Sequence, residues 1–422
     1  MKTHRFSGLW RHPDFMKLWI GQTISEFGSR ISREGIPLTA VLMLAATPEQ
    51  MSWLVACASA PVLLLGLFAG VWVDRLPRRP VMIAADLGRL LLLLTIPFAA
   101  LTGTLTLTLL LVVTVGMSIL SLFFGLAYRA ALPGLVERQH VLEANTKLST
   151  TDSLAEIGGP AVAGLLIQVI TAPLAVFFDA FSFLFSAVSV AVIRKPENRA
   201  VFAERGTMWR DIRAGLDVIA GHPILRTMGI GVLLRSFFGS FFGVLYALYA
   251  VRNLGLSPAL LGIVVASGGI GALMGTLLAE YVPRRFGLGR TLIGALLVGS
   301  VTNLLIPLAG GAPLVAAGIL IIGQIINDGA MALYQINELT FLQVSVPDHM
   351  LGRANATIGF GAEGIAPIGA LVGGLLAGMI GTRETLWVAV LGGLFTAIWM
   401  AVSPLRALRR YPTQLEGVEV IG

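Results

Sequence analysis

The chain has 422 residues, 56% of them hydrophobic and only 13% charged, with a formal net charge of +7 and a single cysteine. A soluble protein of this length needs more polar surface, so the balance excludes an ordinary globular domain and points to a membrane-embedded chain. Cys57, being alone, excludes a disulfide within these residues and a thiolate metal cage.

Crossing the hydrocarbon takes about 20 mostly apolar residues. Twelve such stretches follow one another, at 15–45, 50–73, 80–102, 105–128, 149–171, 174–193, 226–251, 258–281, 290–310, 313–343, 355–379 and 386–403. Their length predicts helices rather than barrel strands. The expected fold class is an all-α membrane protein with twelve transmembrane helices. No cleavable signal peptide is expected, because Lys2, Arg5, Arg11 and Lys17 precede a first span too long and too charged for one.

Basic residues set the expected orientation. With the N-terminus inside, the inside segments hold most of the lysines and arginines, among them Arg75, Arg78, Arg79, Arg194, Lys195, Arg284, Arg285, Arg290 and Arg353. The outside loops hold only Arg252 and Arg383. This bias predicts a multi-pass inner-membrane protein with both termini cytoplasmic. It also accounts for the net charge without nucleic acid, since the basic residues match an anionic lipid surface.

The only long polar stretch separates six spans from six. The expected domains are an N-terminal half, 1–193, a cytoplasmic linker, 194–225, a C-terminal half, 226–405, and a tail, 406–422. Within the linker Met208–Ala220 predicts a short amphipathic helix, with Trp209, Ile212, Leu216 and Ile219 on one side. The two halves repeat one another at a constant offset of 210 positions. His12-Pro13 returns as His222-Pro223, Thr47-Pro48 as Ser257-Pro258, Ala144-Asn145 as Ala354-Asn355, and Gly164-Leu165 as Gly374-Leu375. Duplicated membrane halves are the architecture of secondary carriers, whose substrate site lies between the repeats.

Charges within spans mark pathways or ion pairs. Span one carries Glu26, Arg30, Arg33 and Glu34, and helical spacing puts Glu26, Arg30 and Arg33 on one face with Glu34 beside them. Two readings stand for this group: a transport pathway, or structural pairs of Arg30 with Glu26 and Glu34. Asp152 and Glu156 lie one turn apart in span five, where Arg78 or Arg129 can pair with them as a gate. Span ten places Gln324, Asp328 and Gln335 on one face, with Asn327 and Glu338 at its margin. Asp328 and Gln324 are candidates for substrate contact or for interhelical hydrogen bonds. Arg235 and Glu363 stand isolated and need partners, and Asp86 with Arg89 reads as a structural pair.

The loop after span two reads Gly70-Val-Trp-Val-Asp74-Arg75-Leu-Pro77-Arg78-Arg79-Pro. It resembles the cytoplasmic-loop signature of the major facilitator superfamily, with Pro77 where that family usually has Gly. The resemblance implies two six-helix halves and a latch role for Asp74 and Arg75. Gly70 would then permit close helix approach, and Arg78 and Arg79 would meet acids or lipid phosphates. Leu132-Pro133-Gly, Leu142-Glu-Ala-Asn145, Ile157-Gly158-Gly159-Pro160-Ala-Val-Ala-Gly164 and Pro347-Asp348-His-Met-Leu-Gly352-Arg353-Ala-Asn355 look like the drug-efflux branch that includes macrolide exporters and the enterobactin exporter. Gly159, Pro160 and Gly164 resemble the antiporter motif, where small residues allow close packing and Pro160 weakens the helix ladder.

By that resemblance, Glu26 is the leading candidate for coupling, with Glu34 second. A carboxylate that holds either a proton or a cationic substrate couples export to proton entry. Many drug/proton antiporters carry an Arg inside span four, whereas 105–128 contains no charged residue. Either Arg30 or Arg33 takes that place, or the coupling differs. The implied function is proton-coupled efflux of amphipathic or drug-like small molecules by a monomeric antiporter, with a role in multidrug resistance. The alternative is a dedicated exporter of one metabolite, siderophore or lipid-like molecule. A membrane enzyme or receptor is the remote alternative. No HExxH or Walker lysine loop occurs, so no metal, cofactor or direct ATP drive is expected.

Overall fold

A computed structural model describes residues 12–195 and 208–409, together with Leu9. Its long helices are α1 (Pro13–Leu42), α2 (Pro48–Arg75), α3 (Arg78–Leu101), α4 (Leu107–Leu135), α5 (Val141–Ile170) and α6 (Ala172–Ala191). The short α7 (Met208–Gly221) precedes α8 (Pro223–Arg252), α9 (Pro258–Leu278), α10 (Tyr281–Phe286) and α11 (Leu288–Thr302). The chain closes with α12 (Leu305–Leu308), α13 (Pro313–Ser345), α14 (Asp348–Ile380) and α15 (Thr382–Ala401). Among the described residues eleven segments are long and apolar enough to cross a membrane, the α11–α12 pair counting as one. The 30-residue α1 has the length, but Glu26, Arg30, Arg33 and Glu34 keep its middle polar. α4, α5 and α14 run one or two turns beyond the expected apolar cores, because a helix ladder continues once its side chains leave the hydrocarbon.

The duplication is built into the backbone. His12 and His222 each cap a helix, their Nδ1 atoms accepting from Phe15 N and Ile224 N, with a proline at the first turn behind each. Thr47 and Ser257 do the same for α2 and α9, accepting from Gln50 N and Leu260 N. The left-handed positions also match at the same offset: Ala45 (φ 49°) with Gly255 (φ 66°), and Thr171 (φ 88°) with Gly381 (φ 103°). Local turn chemistry therefore repeats even where the residue does not.

Contacts divide the chain into two compact units. The first comprises Met1–Ala46, Cys57–Ala203 and Ser257–Ala266; the second comprises Thr47–Ala56, Glu204–Leu256 and Ser267–Gly422. Inside the first, α1 packs on α6 and α5, while α3 packs on α6 and α4. Inside the second, α8 packs on α15 and α14, while α11 packs on α15 and α13. The same pairing scheme thus occurs twice. Small residues bring the helices together: Gly21, Gly28 and Gly35 recur every seven positions on α1 and face Ser189, Ser182 and Val176 of α6.

Two tight crossings repeat as well. In the first unit a Cβ on Gly164 of α5 would stand 3.0 Å from Gly262 Cα at the start of α9. In the second unit one on Gly374 of α14 would stand 2.8 Å from Pro48 O at the start of α2. The short helix expected near 208–220 forms as α7 and packs against α14 and α8, with Gly215 under the Arg353 carbonyl.

Candidate functional site

α1 brings the first polar group together. Glu26 is half-buried and makes no hydrogen bond or ion pair among the described residues. Arg30, one turn on, turns toward α5, where its Nη1 lies 3.5 Å from Glu156 Oε1. Neither Glu26 nor Glu34 is its ion-pair partner. Glu156 is likewise held by Arg30 rather than by Arg78 or Arg129. Asp152, Arg33 and Arg89 stand within electrostatic range of Glu26. Asp152 and Glu26 are also in range of Tyr128 on α4, whose ring stacks on Phe124 with centroids 6.0 Å apart. Glu34 is half-buried and Arg33 exposed, and neither has an ion-pair partner among the described residues.

Gly159 explains why Arg30 sits where it does. A Cβ there would lie 2.6 Å from Arg30 Cγ, so only glycine leaves room for the arginine stem. Pro160, which lacks an N–H, follows it within α5, and Gly164 one turn later admits the start of α9. Gly159 and Gly164 therefore serve close packing.

Behind this group lies a second, buried layer. Asp86 and Arg89 of α3 form the expected pair, with the guanidinium held between the rings of Phe124 and Phe183 at 4.3 and 4.2 Å from their centroids. Sequence reasoning passes over Asp179 of α6, which is fully buried. Its Oδ1 accepts from Ser182 Oγ at 2.9 Å, and its Oδ2 has no hydrogen-bond partner. Gly28 of α1 covers it, 2.7 Å separating a Cβ there from Oδ1. Arg89 lies within electrostatic range of Asp86, Asp179 and Glu26 alike. An acid inside an apolar span was the available signal.

In the second unit, Asp328 of α13 accepts from Gln324 Nε2 at 2.8 Å and from Asn327 Nδ2 at 3.0 Å. Gly268 of α9 packs directly on Gln324 and Asp328. These side chains bond one another along their own helix and support a glycine-lined crossing. Arg235 pairs with Glu338 at 3.4 Å rather than with Glu363, and Tyr334 donates to the same carboxylate at 2.7 Å. Glu363 is exposed and unpaired among the described residues.

The loop between α2 and α3 fastens helix ends. Arg78 Nη1 donates to Ala130 O at 2.7 Å, and Arg79 donates to Ile193 O at 3.1 Å and to Lys195 O. Asp14 completes this end of the unit. It pairs with Lys17 at 2.8 Å and accepts from the N–H groups of Arg194 and Lys195. Burial opposes the charge on Asp14, but Lys17 and the two backbone donors outweigh it and hold the carboxyl below its ordinary 3.8. Pro77 caps α3 in extended geometry. Arg75 is exposed, and the side chain of Asp74 lies outside the described residues. A Cβ built on Gly70 would have no described atom within 4 Å.

Duplicated helical units, a charged first helix and a basic loop after the second span define a membrane transporter of the major facilitator type. The chain belongs to the transmembrane secretion effector family of that superfamily, whose family model matches residues 5–414. It is 28% identical over 405 residues to the uncharacterised MFS-type transporter YfiS of Bacillus subtilis (strain 168), spanning 93% of this chain and 94% of that protein. It is 26% identical over 343 residues to the multidrug efflux pump Tap of Mycolicibacterium fortuitum, spanning 77% and 80%. The crystal structure of a bacterial homologue of the iron transporter ferroportin superposes with a TM-score of 0.75 at 18% identity, covering 94% of this chain and 99% of that one.

Proposed function

We propose that the protein is a proton-coupled exporter of amphipathic small molecules, working by alternating access of the copies 1–193 and 226–405. The observation that carries this reading is Glu26. It is half-buried within α1 and unpaired among the described residues, while the neighbouring Arg30 is engaged by Glu156. A carboxylate left free beside an occupied arginine is available to a proton or to a cationic substrate, and competition between the two couples their fluxes. Glu34 and Arg33 extend this polar face. Glu156 and Asp152 form its α5 side, and Arg30 of α1 exchanges partners between the two helices as the site opens. The similarity to a multidrug efflux pump supports export of drug-like compounds. The bias of basic residues supports an inner-membrane location with both termini cytoplasmic. Asp74 and Arg75 act as the latch, and Asp328 with Gln324 lines the path.

Purified protein in detergent, titrated with a panel of lipophilic cations, tests the coupling. Wild type releases protons on binding and the Glu26→Gln variant does not, although it folds. Equal proton release from both proteins removes Glu26 from the coupling step.

A further inference from the structure

The second unit contains a cavity of about 1150 Å³ at the end where α9, α10 and α11 meet the segment after α15. Five arginines line it: Arg284, Arg285, Arg290, Arg406 and Arg409. Glu280 neutralises Arg284 one turn away. The other four have no ion-pair partner among the described residues. From this constellation we propose a binding site for the headgroup of an anionic phospholipid that carries two phosphates.

Scattered basic residues suffice to orient a membrane protein. Here the chain does more, because the backbone folds back to assemble them. After α15 the segment Pro404–Ala407 forms a short turn, and the strap continues to Arg409. Gly289 N donates to Leu408 O at 2.9 Å and Leu288 N to Arg409 O at 3.4 Å. Gly287 (φ 90°) and Gly289 leave room for this approach, since a Cβ on either would stand 3.4 Å from Arg409 Cα or 2.9 Å from the Leu405 carbonyl carbon. The strap thereby sets Arg406 and Arg409 beside Arg285 and Arg290, where like charges repel. Arg290 also lies in the first turn of the 15-residue α11, where a cation opposes the helix dipole. A bound anion reverses both costs, and the planar guanidinium is suited to gripping phosphate oxygens in pairs.

The surroundings select a lipid over a free anion. Phe286 lines the cavity and is 59% exposed, and Leu277, next to the lining residue Thr276, is 81% exposed. Acyl chains would lie along this apolar flank while the headgroup occupies the arginines, as in other basic pockets at membrane surfaces.

Full-length protein in detergent is titrated with fluorescent diphosphatidylglycerol, with phosphatidylcholine, and with inorganic pyrophosphate as competitor. Diphosphatidylglycerol is expected to bind at least ten-fold more tightly than phosphatidylcholine, and pyrophosphate to compete only weakly. Each surface arginine contributes about a five-fold factor, so the triple variant Arg285→Gln/Arg406→Gln/Arg409→Gln should bind about 100-fold more weakly. Arg226→Gln, an exposed arginine elsewhere in the unit, should leave binding unchanged. If the triple variant aggregates, the single variants carry the test, each at about five-fold. Undiminished binding by the variants, or equal binding of the zwitterionic lipid, overturns the site. Full competition by pyrophosphate overturns its assignment to a lipid.

Discussion

Two adjacent glycines in α5 should respond in opposite directions to the same substitution. Alanine is favoured over glycine inside a helix by about 1 kcal/mol. At Gly158 the nearest atom to an added Cβ is Phe27 Cε1 at 3.8 Å, an ordinary contact, so Gly158→Ala should keep that gain. At Gly159 the same methyl would stand 2.5 and 2.6 Å from Cβ and Cγ of Arg30. A Cβ cannot swing aside like the end of a long side chain, so α1 must move away from α5. Overpacking of this kind costs about 1–3 kcal/mol, which cancels the helical gain and leaves a net loss of up to about 2 kcal/mol. The two variants should then differ by about 1–3 kcal/mol, read as about 1–3 degrees between their thermal unfolding midpoints in detergent. Gly159→Ala should also reduce transport, because the displaced arginine is the one held by Glu156. If Gly159→Ala proves as stable as Gly158→Ala, α1 and α5 are not in the contact described.

Two further expectations concern the chain outside the polar clusters. Thr171 is exposed and held at φ 88° and ψ 155°, a region that favours glycine, which its counterpart Gly381 supplies. Thr171→Gly should raise stability by about 1 kcal/mol, the relieved strain exceeding the extra entropy of glycine, and an unchanged or lower midpoint would contradict this. Asp14 is more acidic in the folded chain than its ordinary 3.8, so its contribution is complete at neutral pH and is lost as pH falls through the folded value. Stability should therefore fall below about pH 4 less steeply in Asp14→Asn than in wild type. Parallel curves would mean that the tie to Arg194 and Lys195 contributes nothing.

The fold was legible because its two strongest signals are local. Spanning length is written in runs of apolar residues, and the repeat is written in caps such as His12 and His222, which act within three residues of themselves. The turn positions went further than identity: Ala45 answers Gly255 and Thr171 answers Gly381 in backbone angle although the residues differ. Pairings were less legible, because a helical face says which residues point together and not which neighbour they meet. Arg30 reads equally well as a partner for Glu26 or Glu34 on its own helix, and only the glycine at 159 turns it toward Glu156. Arg235 likewise finds Glu338, a residue that helical spacing puts only at the margin of the polar face of span ten.

Asp179 shows most clearly why a charge has to be read with its cover. In sequence it is one acid in an aromatic span, with no acid or base at helical spacing beside it. In the fold it lies beneath Gly28, shares Ser182, and stands within electrostatic range of an arginine already committed to Asp86. A buried carboxyl without its own cation persists only where surrounding helices fix its neighbours. The glycine at 28 is therefore as much a part of that site as the acid. Glycines spaced seven apart on a charged first helix are the sequence mark that would have located it, since they show which face of α1 is closed by α6. The opposite face carries Glu26 and Arg30, and from it Arg30 meets Glu156 of α5.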